Sequence, residues 1–231
     1  MNLSVRDAAR LLNTSEREVY RWIREGSIPH QRVGDRYRFH RAELLEWATS
    51  RGIRVAPSEF QAPDAANGTA TASFSDALER GGVYYAVSGA DPSEVLRAIV
   101  ERMPIEPADR EEMVDFLLAR EALGSTGVGE GIAIPHARNP VVLHVEHPLV
   151  TLCFLEKPVD FEAVDGKPVH TVFTLVTRTI RSHLYLLSRI SASLHDAEFK
   201  RVVGARAPAD RILAEARRVE AGFTRKPRTL P

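Results

Sequence analysis

Apolar positions recur every three to four residues in some stretches of this chain and alternate or run together in others. At the N-terminal end Val5, Ala8, Ala9, Leu11 and Leu12 follow helical spacing, with Ser4 placed to cap the helix they predict. Asn13-Thr14 breaks that helix, and Ser15 with Glu18 forms an S-x-x-E capping box that starts a second. The second helix buries Val19, Trp22 and Ile23 and turns Arg17, Tyr20, Arg21 and Arg24 elsewhere. Two strand-like pieces, 31–33 and 37–40, flank a Gly34-Asp35 turn that suits a β-hairpin lined by Arg32, Arg36 and Arg38. A last helix over 41–50 packs Leu44, Leu45 and Trp47. Two short helices joined by a tight turn and followed by a basic hairpin predict a helix-turn-helix with a wing.

After residue 73 the pattern changes to alternating helices and strands. The periodicity predicts helices over 76–81, from Asp91 or Ser93 through Met103, over 107–123, and over 183–194, 197–203 and 209–219. Strands are predicted at 83–87, 131–134, 149–155 and 169–176. Helices on both faces of a mixed sheet, an α/β architecture, bury this many apolar segments. Between the two regions, 56–73 is rich in Ala, Pro, Ser, Thr, Asn and Gly and lacks any period, so it reads as a linker. The expected organisation is a helix-turn-helix domain over 1–54, a linker over 55–73, an α/β domain over 74–222 and a tail over 223–231.

The formal net charge is zero over 231 residues, but it is unevenly distributed. Residues 1–54 hold 11 arginines against 7 acids, whereas the remainder holds 20 basic against 24 acidic residues. A basic module on a mildly acidic body suits duplex DNA at one end and a sensor at the other. Cys153, the only cysteine, lies in an apolar run and reads as a reduced core thiol in the cytoplasm. There is no signal-type apolar region at the N-terminus, and no apolar run approaches about 20 residues, so neither secretion nor a membrane span is expected.

The chemistry concentrates in REALGSTGVGEGIAIPHAR, residues 120–138. Gly124, Gly127, Gly129 and Gly131 permit tight turns and close approach to a ligand. Residues 132–134 read as a short buried strand stopped by Pro135, leaving His136 at its end. An imidazole titrates near neutrality, so one ring nitrogen can attack while a hydrogen bond holds the other. The bland alternatives are an ordinary buried or surface His136, a helix-end Arg120 paired with Glu121, and a solvent-facing His183. Among the other histidines, His144 and His147 read as surface positions, His170 could lie near the site and His195 reads as structural. No Cys–Cys or H-E-x-x-H spacing predicts a metal.

Taken as a block, R-E-x-x-G-S-T-G-V-G-E-G-I-A-I-P-H-A resembles the active-site signature of type-2 enzyme IIA domains of the phosphoenolpyruvate-dependent phosphotransferase system, nitrogen-regulatory members above all. The resemblance continues through FEAVDGKPVHTVFTLV at 161–176 and HLYLLSRISASLHDAEF at 183–199. It implies that His136 accepts a phosphoryl group from an HPr-like phosphocarrier, that Arg120 and His183 flank it, and that no cofactor takes part. Arg120 would bind the equatorial oxygens of a loose transition state, helped by a phosphate-binding loop of Ser125, Thr126, Gly127 and Gly129. The run TRTIRSH at 177–183 departs from the proline and short spacer common in the family.

Residues 1–52 resemble excisionase-type, MerR-like winged helix-turn-helix domains in S-V-R-D-A-A-R-L-L and V-Y-R-W-I-R-E-G-S-I-P. The combined expectation is a phosphorylation-controlled transcriptional regulator, with duplex DNA contacted by Arg17, Tyr20, Arg21, Arg24, Arg32, Arg36 and Arg38; homodimerisation is compatible with it. The alternatives are a transport-pathway enzyme IIA that passes phosphate to a IIB partner, and a non-catalytic interaction module.

Overall fold

A computed structural model describes residues 2–33, 36–40, 43–44, 47–48, 51, 53, 73–137 and 145–224. The Gly34-Asp35 turn, Leu45, His144, the Arg36 side chain, nearly all of the predicted linker and the tail beyond residue 224 lie outside the described residues.

In the first unit, α1 (Val5–Leu11) and α2 (Glu16–Arg24) are followed by strands β2 (Gln31–Val33) and β3 (Arg36–His40). A short β1 (Asn2–Leu3), which the pattern did not predict, adds to the other edge of β3, giving the order β1-β3-β2. The capping chemistry differs from expectation. The reciprocal box closes at Ser4 and Asp7: Asp7 N–H donates to Ser4 Oγ at 3.2 Å, and Ser4 N–H donates to the Asp7 carboxylate at 3.0 Å. At the second helix only half is made. Ser15 Oγ accepts from Glu18 N–H, whereas the Glu18 carboxylate pairs with Arg21. Asn13 takes a left-handed φ of 47° in the turn between the helices, a conformation asparagine tolerates. Of the predicted 41–50 helix, residues 43–44 and 47–48 are described and are helical, with Leu44 fully buried.

The second unit is an α/β domain on a five-stranded mixed sheet of order β4-β7-β8-β6-β5. Its elements are α3 (Phe74–Gly81), β4 (Val83–Val87), α4 (Pro92–Arg102), α5 (Arg110–Glu121), β5 (Gly127–Gly129), β6 (Ile132–Ala133), β7 (Leu149–Val159), β8 (Val169–Val176), α6 (Ile180–Leu194), α7 (Ala197–Gly204) and α8 (Ala209–Thr224). The central pair β7–β8 is antiparallel, while β4–β7 and β6–β8 are parallel. Alternation sorts the core. Val150, Leu152 and Phe154 of β7 join Phe173 and Leu175 of β8 in one apolar cluster with residues of α3, α6, α7 and α8. Leu149, Cys153 and Leu155 join Val172 and Val176 in the opposite cluster with α4 and α5. Burial pushes the Cys153 thiol up to about 12, which keeps it a structural thiol. Among the described residues no helix is long and apolar enough to cross a membrane.

Candidate functional site

The sheet register explains why two distant histidines meet. β6 runs parallel to β8, and the chain past β6 continues that pairing, with His136 bridging to Leu175. At the same edge β8 ends, and Thr179 caps α6 by accepting the Ser182 N–H at 3.1 Å. TRTIRSH is therefore a helix start, and the helix begins three residues earlier than predicted. His183 falls on its first turn, its N–H bonded to Thr179 O at 3.0 Å. The His136 and His183 rings lie 5.1 Å apart and tilted by 50°.

The His136 tautomer follows from its partner. Nδ1 lies 2.7 Å from the Ile134 carbonyl oxygen. A carbonyl can only accept, so Nδ1 carries a proton, and in the neutral ring the in-plane lone pair then lies on Nε2. His183 is 3% exposed, so the solvent-facing alternative does not hold. Its Nε2 is buried and makes no hydrogen bond among the described residues. Burial first, then His136 and the Arg120 cation, hold the His183 pKa well below its ordinary range. The ring is therefore neutral at neutral pH and has one N–H to donate.

Arg120 lies in the last turn of α5 and donates from Nη1 to the Gly124 carbonyl at 2.9 Å. The bland pairing with Glu121 is not what occupies that carboxylate. Glu121 accepts the Thr126 N–H at 3.0 Å and the Thr126 hydroxyl at 2.6 Å. Burial raises its pKa, and these two bonds oppose the shift. Sequence reasoning missed Glu121 as the clamp that shapes the loop; the signal available was an acid five residues ahead of a threonine across a glycine turn.

The phosphate-binding loop reading changes in one respect. The Ser125 hydroxyl donates to Phe161 O and its oxygen accepts the Gly127 N–H, while both Thr126 donors go to Glu121. Those donors hold the loop together and are not turned toward a ligand. Gly127 is required by contact, since a Cβ there would lie 2.6 Å from the Ala163 Cβ. Gly129, with φ 94°, lies against the Asp165 carboxylate, which also accepts the Glu130 N–H at 2.8 Å.

Other histidines are placed elsewhere. His170 opens β8, at the end of the strand opposite His136, and its Nδ1 lies 2.8 Å from Thr171 Oγ1. His147 is exposed, and His195 Nδ1 donates to Ser191 O at 2.7 Å. Among the described residues no cluster of three or more His, Cys, Asp or Glu side chains could hold a metal ion.

On the first unit, Arg17, Arg21, Arg24 and Arg32 are exposed, Tyr20 is 44% exposed and Arg38 is half-buried. Arg21 is already engaged by Glu18 and, at 3.6 Å, by Glu25. Exposed pairs of this kind are worth little, so the arginine can exchange partners. Tyr20 packs edge-on against Tyr37 of the hairpin, tying α2 to the wing.

Comparison with known proteins agrees with this fold. The profile described as "Helix-turn-helix domain" matches residues 3–52, and that described as "Phosphoenolpyruvate-dependent sugar phosphotransferase system, EIIA 2" matches 78–214. A nitrogen regulatory protein of Pseudomonas aeruginosa is 38% identical over 118 residues, covering 49% of this chain and 75% of that protein. The fructose-specific EIIABC component of Bacillus subtilis is also 38% identical, over 40% of this chain but only 14% of its own length. The crystal structure of nitrogen regulatory protein IIA-Ntr from Neisseria meningitidis superposes with a TM-score of 0.53 at 24% identity, over 62% of this chain and 97% of that one, a likeness of fold. With more than half of its length matched, the chain belongs to the phosphotransferase-system EIIA 2 family, and a helix-turn-helix domain precedes that region.

Proposed function

We propose that His136 Nε2 accepts a phosphoryl group from an HPr-like phosphocarrier and that its phosphorylation modulates DNA binding by residues 1–54. The observation that carries this reading is the 2.7 Å contact from His136 Nδ1 to the Ile134 carbonyl oxygen, which leaves the lone pair of the neutral ring on Nε2. In the transfer, the P–N bond of the carrier breaks as a P–Nε2 bond forms on His136, and the carrier's imidazole leaves with the electron pair. The Nδ1 proton stays on His136. Positive charge that builds on the ring is then held by the Ile134 carbonyl dipole. Arg120 supplies a cation to the equatorial oxygens, and neutral His183 donates a hydrogen bond to one of them; positioning and charge stabilisation supply most of the catalysis in such transfers. No cofactor is required.

DNA contact is assigned to the exposed face of α2 and to the wing, through Arg17, Tyr20, Arg21, Arg24, Arg32, Arg36 and Arg38. Incubation with phosphoenolpyruvate, enzyme I and HPr, followed by mass spectrometry, tests the acceptor. His136→Ala should take up no phosphoryl group; full uptake by that variant would sink the assignment. Anisotropy of labelled duplex DNA, with phosphorylated and unphosphorylated protein, tests the coupling. The likeness to the fructose-specific component favours a second reading, onward transfer to a IIB partner. Discharge of the phosphoprotein by an added fructose IIB domain would support it.

A further inference from the structure

The two units meet at the rim of the phosphoacceptor site. A cleft of about 570 Å³ has Ile28, Glu43 and Trp47 on one wall and Arg120, Gly124 and Ser125 on the other. Leu184, next to His183 on α6, packs on the apolar cluster of the first unit, which includes Leu11, Leu12, Val19 and Leu44. Neighbours on a helix point about 100° apart. The same helix turn therefore presents His183 to His136 and Leu184 to the helix-turn-helix unit. His136 and His183 are 4% and 3% exposed in this arrangement. A donor phosphoryl group carried on another protein must come within about 3–3.5 Å of Nε2, in line with the bond to be broken.

We propose that the helix-turn-helix unit seats on the rim of the phosphoacceptor site, where it competes with the incoming phosphocarrier, so that phosphoryl transfer to His136 requires its release and then favours it. This rests on His136 being the phosphoacceptor. The exposed arginines of α2 do not line the cleft, so the seated unit keeps its proposed DNA face open. Charge sets the direction of the coupling. Glu43 and Arg120 stand on opposite walls, and a phosphoryl group on His136 would engage Arg120 and bring negative charge toward Glu43. Both effects weaken the seat.

The test uses the full chain and two substitutions outside the reacting groups: Leu184→Arg, and Glu43→Arg on the other wall, which guards against a folding defect in either. Phosphorylation by the HPr phosphoprotein is timed against phosphorylation by phosphoramidate, a small donor that needs less room. Small-angle scattering reports whether the units separate. The variants should be charged by the protein donor faster than wild type by about fivefold or more, the lower end of allosteric coupling. The small-donor rate should change less, and the radius of gyration should rise in the variants and in the phosphorylated wild type. Wild-type rates and radii in both variants, or a phosphorylated wild type as compact as the unphosphorylated one, would overturn the proposal. No uptake by any protein from either donor would sink the phosphoacceptor reading itself.

Discussion

Acid should loosen the α/β unit through one buried imidazole. His183 is 3% exposed, and burial, His136 and Arg120 together depress its pKa from an ordinary 6.5. A base depressed in the folded state contributes stability that is complete above its unfolded pKa and is lost as pH falls toward the folded one. The window therefore opens below 6.5 and extends down to the folded value. Within it each pH unit removes up to about 1.4 kcal/mol, the free energy of one proton, from a total that for most domains is only about 5–15 kcal/mol. At this level of exposure solvent screening does little to shrink the effect. His183→Gln keeps a hydrogen-bonding side chain but cannot titrate, so the difference between the two proteins isolates this group. Hydrogen exchange of the β7 and β8 amides reports the global opening of the sheet. After correction for the intrinsic pH dependence of exchange, wild-type protection should fall faster than that of the variant, by up to about tenfold per pH unit below the window's upper edge. Equal slopes would refute the assignment of a neutral, desolvated His183.

Glu121→Ala removes both anchors of Thr126 and should cost about 2 kcal/mol, since hydrogen bonds to a part-buried carboxylate exceed neutral ones. It should also slow phosphoryl uptake more than it lowers the urea midpoint, and wild-type uptake would deny Glu121 a positioning role. Gly81→Ala would put a Cβ 2.2 Å from the Val150 carbonyl oxygen, where α3 lies on β7. Thermal unfolding should show a loss of about 2 kcal/mol or more, as overpacking does, and an unchanged midpoint would mean that the helix can lift without cost. Arg24→Ala should weaken duplex binding and shallow its salt dependence by about one counterion. An unaltered salt slope would remove Arg24 from the phosphate contacts.

What the sequence disclosed depended on whether a side-chain period carried the information. β8 was readable to the residue because 169–176, VHTVFTLV, is dense in β-branched and aromatic residues and is bounded by Lys167-Pro168 and a polar turn. The helix-turn-helix was readable from two amphipathic stretches around Asn13. β5 was not, because a Gly-Val-Gly strand has almost no side chains to alternate; it forms because the loop is pinned from both ends, by Glu121 on Thr126 and by Asp165 on Glu130. The start of α6 was missed because its first turn, Ile180-Arg181-Ser182, offers one exposed apolar residue and no period, and its cap, Thr179, lies among arginines that read as a loop. The histidine proposed as the acceptor, with Arg120 and His183, was singled out from the signature blocks. Their geometry was not, because it depends on β6 and β8 running parallel, a long-range pairing that no local spacing records.

That pairing also bears on the proposal that only one of the two histidines it brings together takes the phosphoryl group. Both imidazoles end at the same sheet edge, and a cationic His183 beside Arg120 would add a second positive charge against His136 in a dry site. Burying His183 removes that charge and still leaves an N–H to offer. His136 is held differently, by a main-chain carbonyl that fixes its proton without adding charge. Two like side chains are thus set by different means, His183 by desolvation and His136 by a single acceptor. On this argument a substitution that admits water beside His183 would raise its pKa toward the ordinary range before it changed any distance between the rings.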